Sequence, residues 1–274
     1  IIGHERSGKT SFLNNICAEL DKPFVPIIYS AKRCTDIDTY IRANICSIVS
    51  AYPVIFGNAD DLFSLSIIEL DKRMASMKSS DAVKQALKTL LLYTHDPKIS
   101  LDEVIRDFFM LPSMIAADTK TTAVVILDDI DAVKLLKSDR GASNSMIELI
   151  SKPLEHVVFI ASTSHAVQLD GFNEILLPNL SIDSARKFLK DAKLELSEAS
   201  LNTIYNITEG SQFYLNFFAR MISRSGAKES AAITALLDDA LENELHIYFS
   251  ERLKQLSPKE LPILFCMAEH KVNT

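Results

Sequence analysis

No run of about 18 apolar residues occurs anywhere in the chain, so no stretch reads as a membrane-spanning helix. The opening residues show no secretory leader pattern. Cysteine is scarce: Cys17, Cys34, Cys46 and Cys266 show no Cys-x-x-Cys pairing. They read as buried thiols of a reducing, cytoplasmic setting rather than a disulfide frame or a zinc site. In that setting the sequon Asn206-Ile207-Thr208 is idle. An excess of positive charge is missing too. Lys and Arg number 29 against 36 Asp and Glu, a net charge of −7. That balance argues against a dominant nucleic-acid surface. No internal repeat or low-complexity segment is seen. What is present is apolar residue in quantity: 47% of 274 residues is enough for one large or two medium domains with a sizeable core.

One stretch organises the rest. Gly3-His4-Glu5-Arg6-Ser7-Gly8-Lys9-Thr10 fits Gly-x-x-x-x-Gly-Lys-[Ser/Thr], a phosphate-binding loop. Gly3 permits a sharp turn out of a strand. The residues after it point backbone N–H groups inward at an anion, and Gly8 lets the backbone approach phosphates. Lys9 places a point charge between the β- and γ-phosphates, and the Thr10 hydroxyl suits Mg²⁺. The helix from Ser11 presents its positive end to the same charge. Arg6 faces a phosphate, a neighbouring acid or an adjoining domain; His4 and Glu5 are expected to face solvent. Only Ile1 and Ile2 precede the loop, too few for the strand that must feed it. No initiator Met stands before them. A piece of a longer polypeptide, cropped at both ends, is expected.

Further along, Phe24–Tyr29 reads as a strand and Ile37–Tyr52 as a helix ended by Pro53. Residues 60–118 read as three helices. The clearest starts at Ser100, with Glu103 closing a capping box. The continuous apolar run Ala123-Val124-Val125-Ile126-Leu127 before Asp128-Asp129 reads as a strand buried on both faces. Residues 143–152 look helical, 156–164 form another buried strand, and Glu174–Pro178 a short final one. Strands alternating with helices predict an α/β, doubly wound parallel sheet. From Leu180 onward the pattern is all-helical. Ser181 and Ser197 start helices, Gly210 serves as a C-cap, and Ser257-Pro258-Lys259-Glu260 starts a last helix.

A phosphate loop needs an acid on a neighbouring strand. Asp128 suits the magnesium role and Asp129 the polarisation of an attacking water. Both are also what ends a strand. Asp129 is one methylene shorter than Glu, and a misplacement of about 1 Å costs on the order of 100-fold in rate. Slow hydrolysis, or hydrolysis that needs a partner, is expected. Asp131 reads as a solvated or helix-capping acid. Thr163 or Ser164 reads either as a γ-phosphate sensor or as ordinary turn chemistry. The chain has no Asn-Lys-x-Asp guanine motif, which favours ATP over GTP.

Together these pieces resemble the P-loop ATPases of the AAA+/STAND lineage, and more narrowly the prokaryotic "archaeal ATPase" family. Gly3 through Leu13 is similar to that family's Gly-x-Arg-Arg-x-Gly-Lys-Thr-Ser-Leu-Leu opening, with Glu5 at the first Arg. Leu127-Asp128-Asp129 resembles the Asp-Asp form of the Walker B motif. Thr208-Glu209-Gly210-Ser211-Gln212-Phe213-Tyr214-Leu215 resembles the family's Thr-Gly-Gly-x-Pro-x-x-Leu lid stretch near the base, with Gln212 where Pro is expected. The resemblance implies a P-loop core over 1–178, with 57–118 a helical elaboration. It implies a helical lid over 179–244. Residues 245–274 become a linker helix and the start of a winged helix. It further implies ATP and Mg²⁺ as ligands, a switch driven by lid closure, and protein partners or self-assembly. Arg186 and Arg220 are candidates for a lid arginine. Two rivals share the architecture. One is a nuclear subunit of a DNA replication origin-recognition complex, with DNA reached through a missing terminal domain. The other is a signalling scaffold that holds nucleotide without turnover.

Overall fold

The computed structural model describes residues 1–4, 6–31, 34–56, 67–93, 100–133, 140–164 and 169–270. The chain divides into two compact units, Ile1–Pro178 and Asn179–Thr274. In order, the first unit contains α1 (Lys9–Glu19), β1 (Phe24–Ser30), α2 (Ile37–Ala51), α3 (Pro53–Phe56) and α4 (Ile67–Ser76). It continues with α5 (Asp81–Leu92), α6 (Leu101–Thr119), β2 (Thr122–Asp128), α7 (Ile130–Val133), α8 (Arg140–Ser151) and β3 (Val157–Ala161).

The three strands form one parallel sheet in the order β1-β2-β3, with Ser30 opposite Asp128 and Leu127 opposite Ala161. Single parallel bridges extend it: Ile2 lies between Thr163 and Leu176. Ile2 donates to Ile175 O at 2.8 Å, and Leu177 donates to Ile2 O at 2.7 Å. The expected final strand over 174–178 is therefore a bridge rather than a full strand. The approach to Gly3 sits beside β3, not beside β2.

Side-chain alternation along the strands explains the layers. Ala123, Val125 and Leu127 of β2 join a large cluster with Ile27, Tyr29 and residues of α2, α5, α6 and α8. Val124 and Ile126 point the other way, onto Leu13 of α1. Both faces of β2 are covered, which is why it reads as an uninterrupted apolar run. β3 departs from that expectation, because its Val158 is exposed. In the large cluster Tyr29 stacks on Phe108 with ring centroids 4.7 Å apart, and Phe109 meets Phe108 edge-on at 5.0 Å.

The helix starts are local chemistry. Asp36 accepts the Thr39 N–H while Thr39 returns a bond to the Asp36 backbone, a complete capping box for α2. At α6, Ser100 accepts the Glu103 N–H at 3.2 Å, which is half of the box expected there. The three helices expected over residues 60–118 are α4, α5 and α6; residues 60–66 and 94–99 lie outside the described residues.

The second unit is helical: α9 (Ile182–Asp191), α10 (Glu198–Thr208), α11 (Gln212–Ser225), α12 (Ser230–Asn243), α13 (Leu245–Gln255) and α14 (Glu260–His270). Ser181 and Ser197 cap α9 and α10 by accepting the N–H groups of Ser184 and Ser200. Ala185, Leu189, Leu201, Ile204, Leu215, Phe218 and Leu237 build its core. Glu209, at φ 48°, is the residue that ends α10. Gly210 has a different reason to be glycine: a Cβ there would stand 2.0 Å from Leu180 O. Ser257 and Glu260 exchange both bonds of a capping box at α14, at 3.3 and 2.7 Å.

Candidate functional site

The site forms where the ends of β2 and β3 meet the loop before α1. Two loop residues take the left-handed conformation, Arg6 at φ 63° and Gly8 at φ 87°. Backbone N–H groups held this way make a concavity that favours anions. Gly3 does not have a positive φ. Its constraint is space, since a Cβ would lie 2.6 Å from Ser7 Oγ and 3.2 Å from Leu177 Cβ. Ser7 N–H closes the turn on His4 O at 3.1 Å. Its hydroxyl is buried and has no partner among the described residues.

Lys9, the first residue of α1, is only 5% exposed. Its ammonium donates to Gly3 O at 2.9 Å, His4 O at 2.9 Å and Ser164 Oγ at 3.1 Å. Among the described residues no carboxylate lies within ion-pair distance of it. A buried cation without a counter-charge is expensive unless an anion completes the site. Its neighbour Thr10 donates to Asp128 Oδ2 at 2.8 Å, across 118 residues of sequence.

Ser162 supports the acids from behind. Fully buried, it donates to Asp128 Oδ1 at 2.7 Å and accepts the Asp129 N–H at 2.9 Å. Ile130 N–H then bonds Ser162 O at 2.9 Å. These contacts hold Asp129 in the left-handed region, at φ 56°, which Asp adopts more readily than most residues. Asp131 is not a solvated acid. Its Oδ2 accepts the Ser164 N–H at 3.0 Å, and its Oδ1 is buried.

A cavity of about 500 Å³ opens here, lined by Arg6, Gly8, Lys9, Thr10, Ser11, Asp129 and Ser164. That volume is in the range of small-molecule sites. Thr163 stands apart from it. Thr163 is buried and its backbone pairs with Ile1 and Gly3. His4 is exposed, and Glu5 lies outside the described residues. In the helical unit Arg186 pairs with Asp183 at 2.6 Å and Glu198 at 2.9 Å on the surface, and Arg220 is exposed.

Ser162 is the residue that sequence reasoning passed over, and Asp131, a solvated or helix-capping acid by sequence, instead accepts the Ser164 N–H. The signal for Ser162 was the polar run Ser162-Thr163-Ser164 after a strand, whose partners appear only once β3 lies against β2. The cysteines are free thiols. Cys17, Cys34 and Cys46 are half-buried rather than fully buried, and Cys266 is exposed. Burial pushes the Cys17 and Cys34 thiols above their ordinary value, which leaves them poor nucleophiles.

Among the described residues, no three His, Cys, Asp or Glu side chains cluster to hold a metal. No helix among them is long and apolar enough to cross a membrane. The Thr10 hydroxyl and Asp128 carboxylate are nonetheless an all-oxygen pair. Such a pair fits Mg²⁺ where phosphate and water supply the remaining ligands. No protein-family profile matches the chain, and no curated protein does.

Proposed function

We infer that the first unit is a doubly wound P-loop fold that binds a nucleoside triphosphate, ATP, with Mg²⁺, and hydrolyses it slowly. One observation carries this reading. Lys9 and Thr10, adjacent at the start of α1, meet Asp128 at the end of β2 and Ser164 beyond the end of β3, and among the described residues the buried ammonium has no carboxylate partner. The strand arrangement supports it. Ile2, which leads into the loop, bridges Thr163 just beyond β3, so β3 lies between that approach and β2, which ends at Asp128.

The residues divide the work by chemistry. The Gly3–Gly8 backbone, with Arg6 at φ 63° and Gly8 at φ 87°, cradles the phosphates. Lys9 exchanges its bonds to the Gly3 and His4 carbonyls for phosphate oxygens. Thr10 and Asp128 would hold the magnesium, which when bound would supply positive charge against the phosphates. Asp129, on the cavity wall, orients the attacking water and accepts its proton. Ser164 is the γ-phosphate contact, since it lines the cavity and Thr163 does not. The helical unit is the element that responds to nucleotide, read as changed hydrogen exchange over residues 179–270.

Calorimetric titration of Mg-ATP into wild type and Lys9→Met tests the reading. Each lost charge-assisted bond is worth roughly 1.5–3 kcal/mol, so the variant should bind about 10- to 100-fold more weakly. Equal affinities, or no heat with wild type, would remove the proposal.

A further inference from the structure

Asp131 has no place in the scheme above, yet it is tied to it. Its Oδ2 accepts the backbone N–H of Ser164 at 3.0 Å. Ser164 in turn takes a hydrogen bond from the Lys9 ammonium at 3.1 Å and lines the cavity, whereas Asp131 does not. The second oxygen, Oδ1, is buried with no partner among the described residues.

The Ser164 backbone is held on two sides. Its predecessor Thr163 is fixed by strand pairing to Ile1 O at 3.0 Å. Beyond it, the carboxylate of α7 fixes the N–H of Ser164 itself. With the backbone pinned, the hydroxyl has a defined origin, and rotation about one bond aims it.

The geometry points to Asp131 as a positioning residue that sets the site's discrimination between nucleoside triphosphate and diphosphate. It rests on the nucleotide reading above. While the cavity is empty, Ser164 Oγ accepts from Lys9. When Lys9 turns to phosphate, the hydroxyl is released to donate to the terminal phosphoryl group, and only a triphosphate reaches it. Asp131 keeps the hydroxyl at that distance. It touches neither ligand nor metal, so its loss acts through Ser164.

The test compares affinities of the full chain for a non-hydrolysable ATP analogue and for ADP, both with Mg²⁺, in wild type, Asp131→Ala and Asp131→Asn. Asp131→Ala should weaken the triphosphate about 10-fold, the size of one well-placed hydrogen bond, and leave the diphosphate within about 2-fold. Asp131→Asn keeps an acceptor for the Ser164 N–H and should restore most of the preference. Asp131→Ser, too short to hold the Ser164 N–H, takes the place of Asp131→Ala if that variant fails to fold, with the same loss expected. An Asn variant that still loses the preference overturns the positioning role. So does an Ala variant that weakens both ligands equally or neither. Wild type that binds neither nucleotide overturns the underlying reading together with this one. Wild type that prefers triphosphate, with unaltered variants, overturns only the role of Asp131.

Discussion

Ser162 shows how much can depend on one hydroxyl. It donates to Asp128 Oδ1 and accepts from the Asp129 N–H, so it fixes a carboxylate and a left-handed backbone together. Ser162→Ala would take from Asp128 Oδ1 and the Asp129 N–H the partner that this fully buried hydroxyl supplies. Such orphaned buried groups cost roughly 1–3 kcal/mol each. The variant is expected to unfold at lower urea, and Mg-ATP affinity should fall as Asp128 loses its support. An unchanged urea midpoint would show that neighbouring groups replace the hydroxyl. Lys9 stands at the other extreme. It is locally satisfied by three oxygens, but electrostatically it is unmatched among the described residues.

At the scale of elements, two glycines with nearly the same backbone separate conformation from contact. Gly226, at φ 72°, ends α11, and a Cβ there would meet nothing within 4 Å. Gly210, at φ 75°, has Leu180 O at 2.0 Å from the same position. Gly226→Ala should therefore cost only the left-handed penalty, roughly 1–2 kcal/mol. Gly210→Ala must also break the Leu180 N–H to Gly210 O bond of 2.9 Å, and should lose distinctly more by thermal unfolding. Equal losses would mean that the Leu180 segment yields freely. The pair also marks what was legible in the sequence. Caps and apolar periodicity are local, so Ser100, Ser181, Ser197 and Ser257 announced their helices. β2 announced itself because both of its faces are buried. Gly210 was read as a C-cap, because its real constraint, a strand of backbone 30 residues earlier, leaves no local mark. The short contacts of Leu176 and the exposed Val158 were hidden for the same reason: coverage of a strand is decided by elements far away in sequence. At the site, the loop was legible from spacing alone. Ser162 was not, nor was the bond from Asp131 to the Ser164 N–H, because such contacts arise only once the strand ends lie side by side.

For the molecule as a whole, the core of the first unit carries a pH signature. Burial pushes the Tyr29 and Tyr40 hydroxyls above the ordinary value of 10.0. The folded state therefore keeps protons that the unfolded chain releases. Their contribution to stability is complete below pH 10.0 and is lost as pH rises towards the folded values. The loss approaches about 1.4 kcal/mol per pH unit for each group. Unfolding by urea should thus become easier above pH 10.0, and Tyr29→Phe should reduce that slope. A slope unchanged by the substitution would assign the alkaline loss elsewhere.

The central claim is that the buried ammonium and the paired hydroxyl and carboxylate form a seat for a metal-bound triphosphate. A crystal structure of the full chain with Mg²⁺ and a non-hydrolysable ATP analogue tests it most directly. The account predicts that Lys9 Nζ leaves the carbonyls of Gly3 and His4 for phosphate oxygens, with a metal between Thr10 Oγ1 and Asp128 Oδ2. Lys9 still on those carbonyls beside an empty cavity, or nucleotide bound elsewhere, would contradict it.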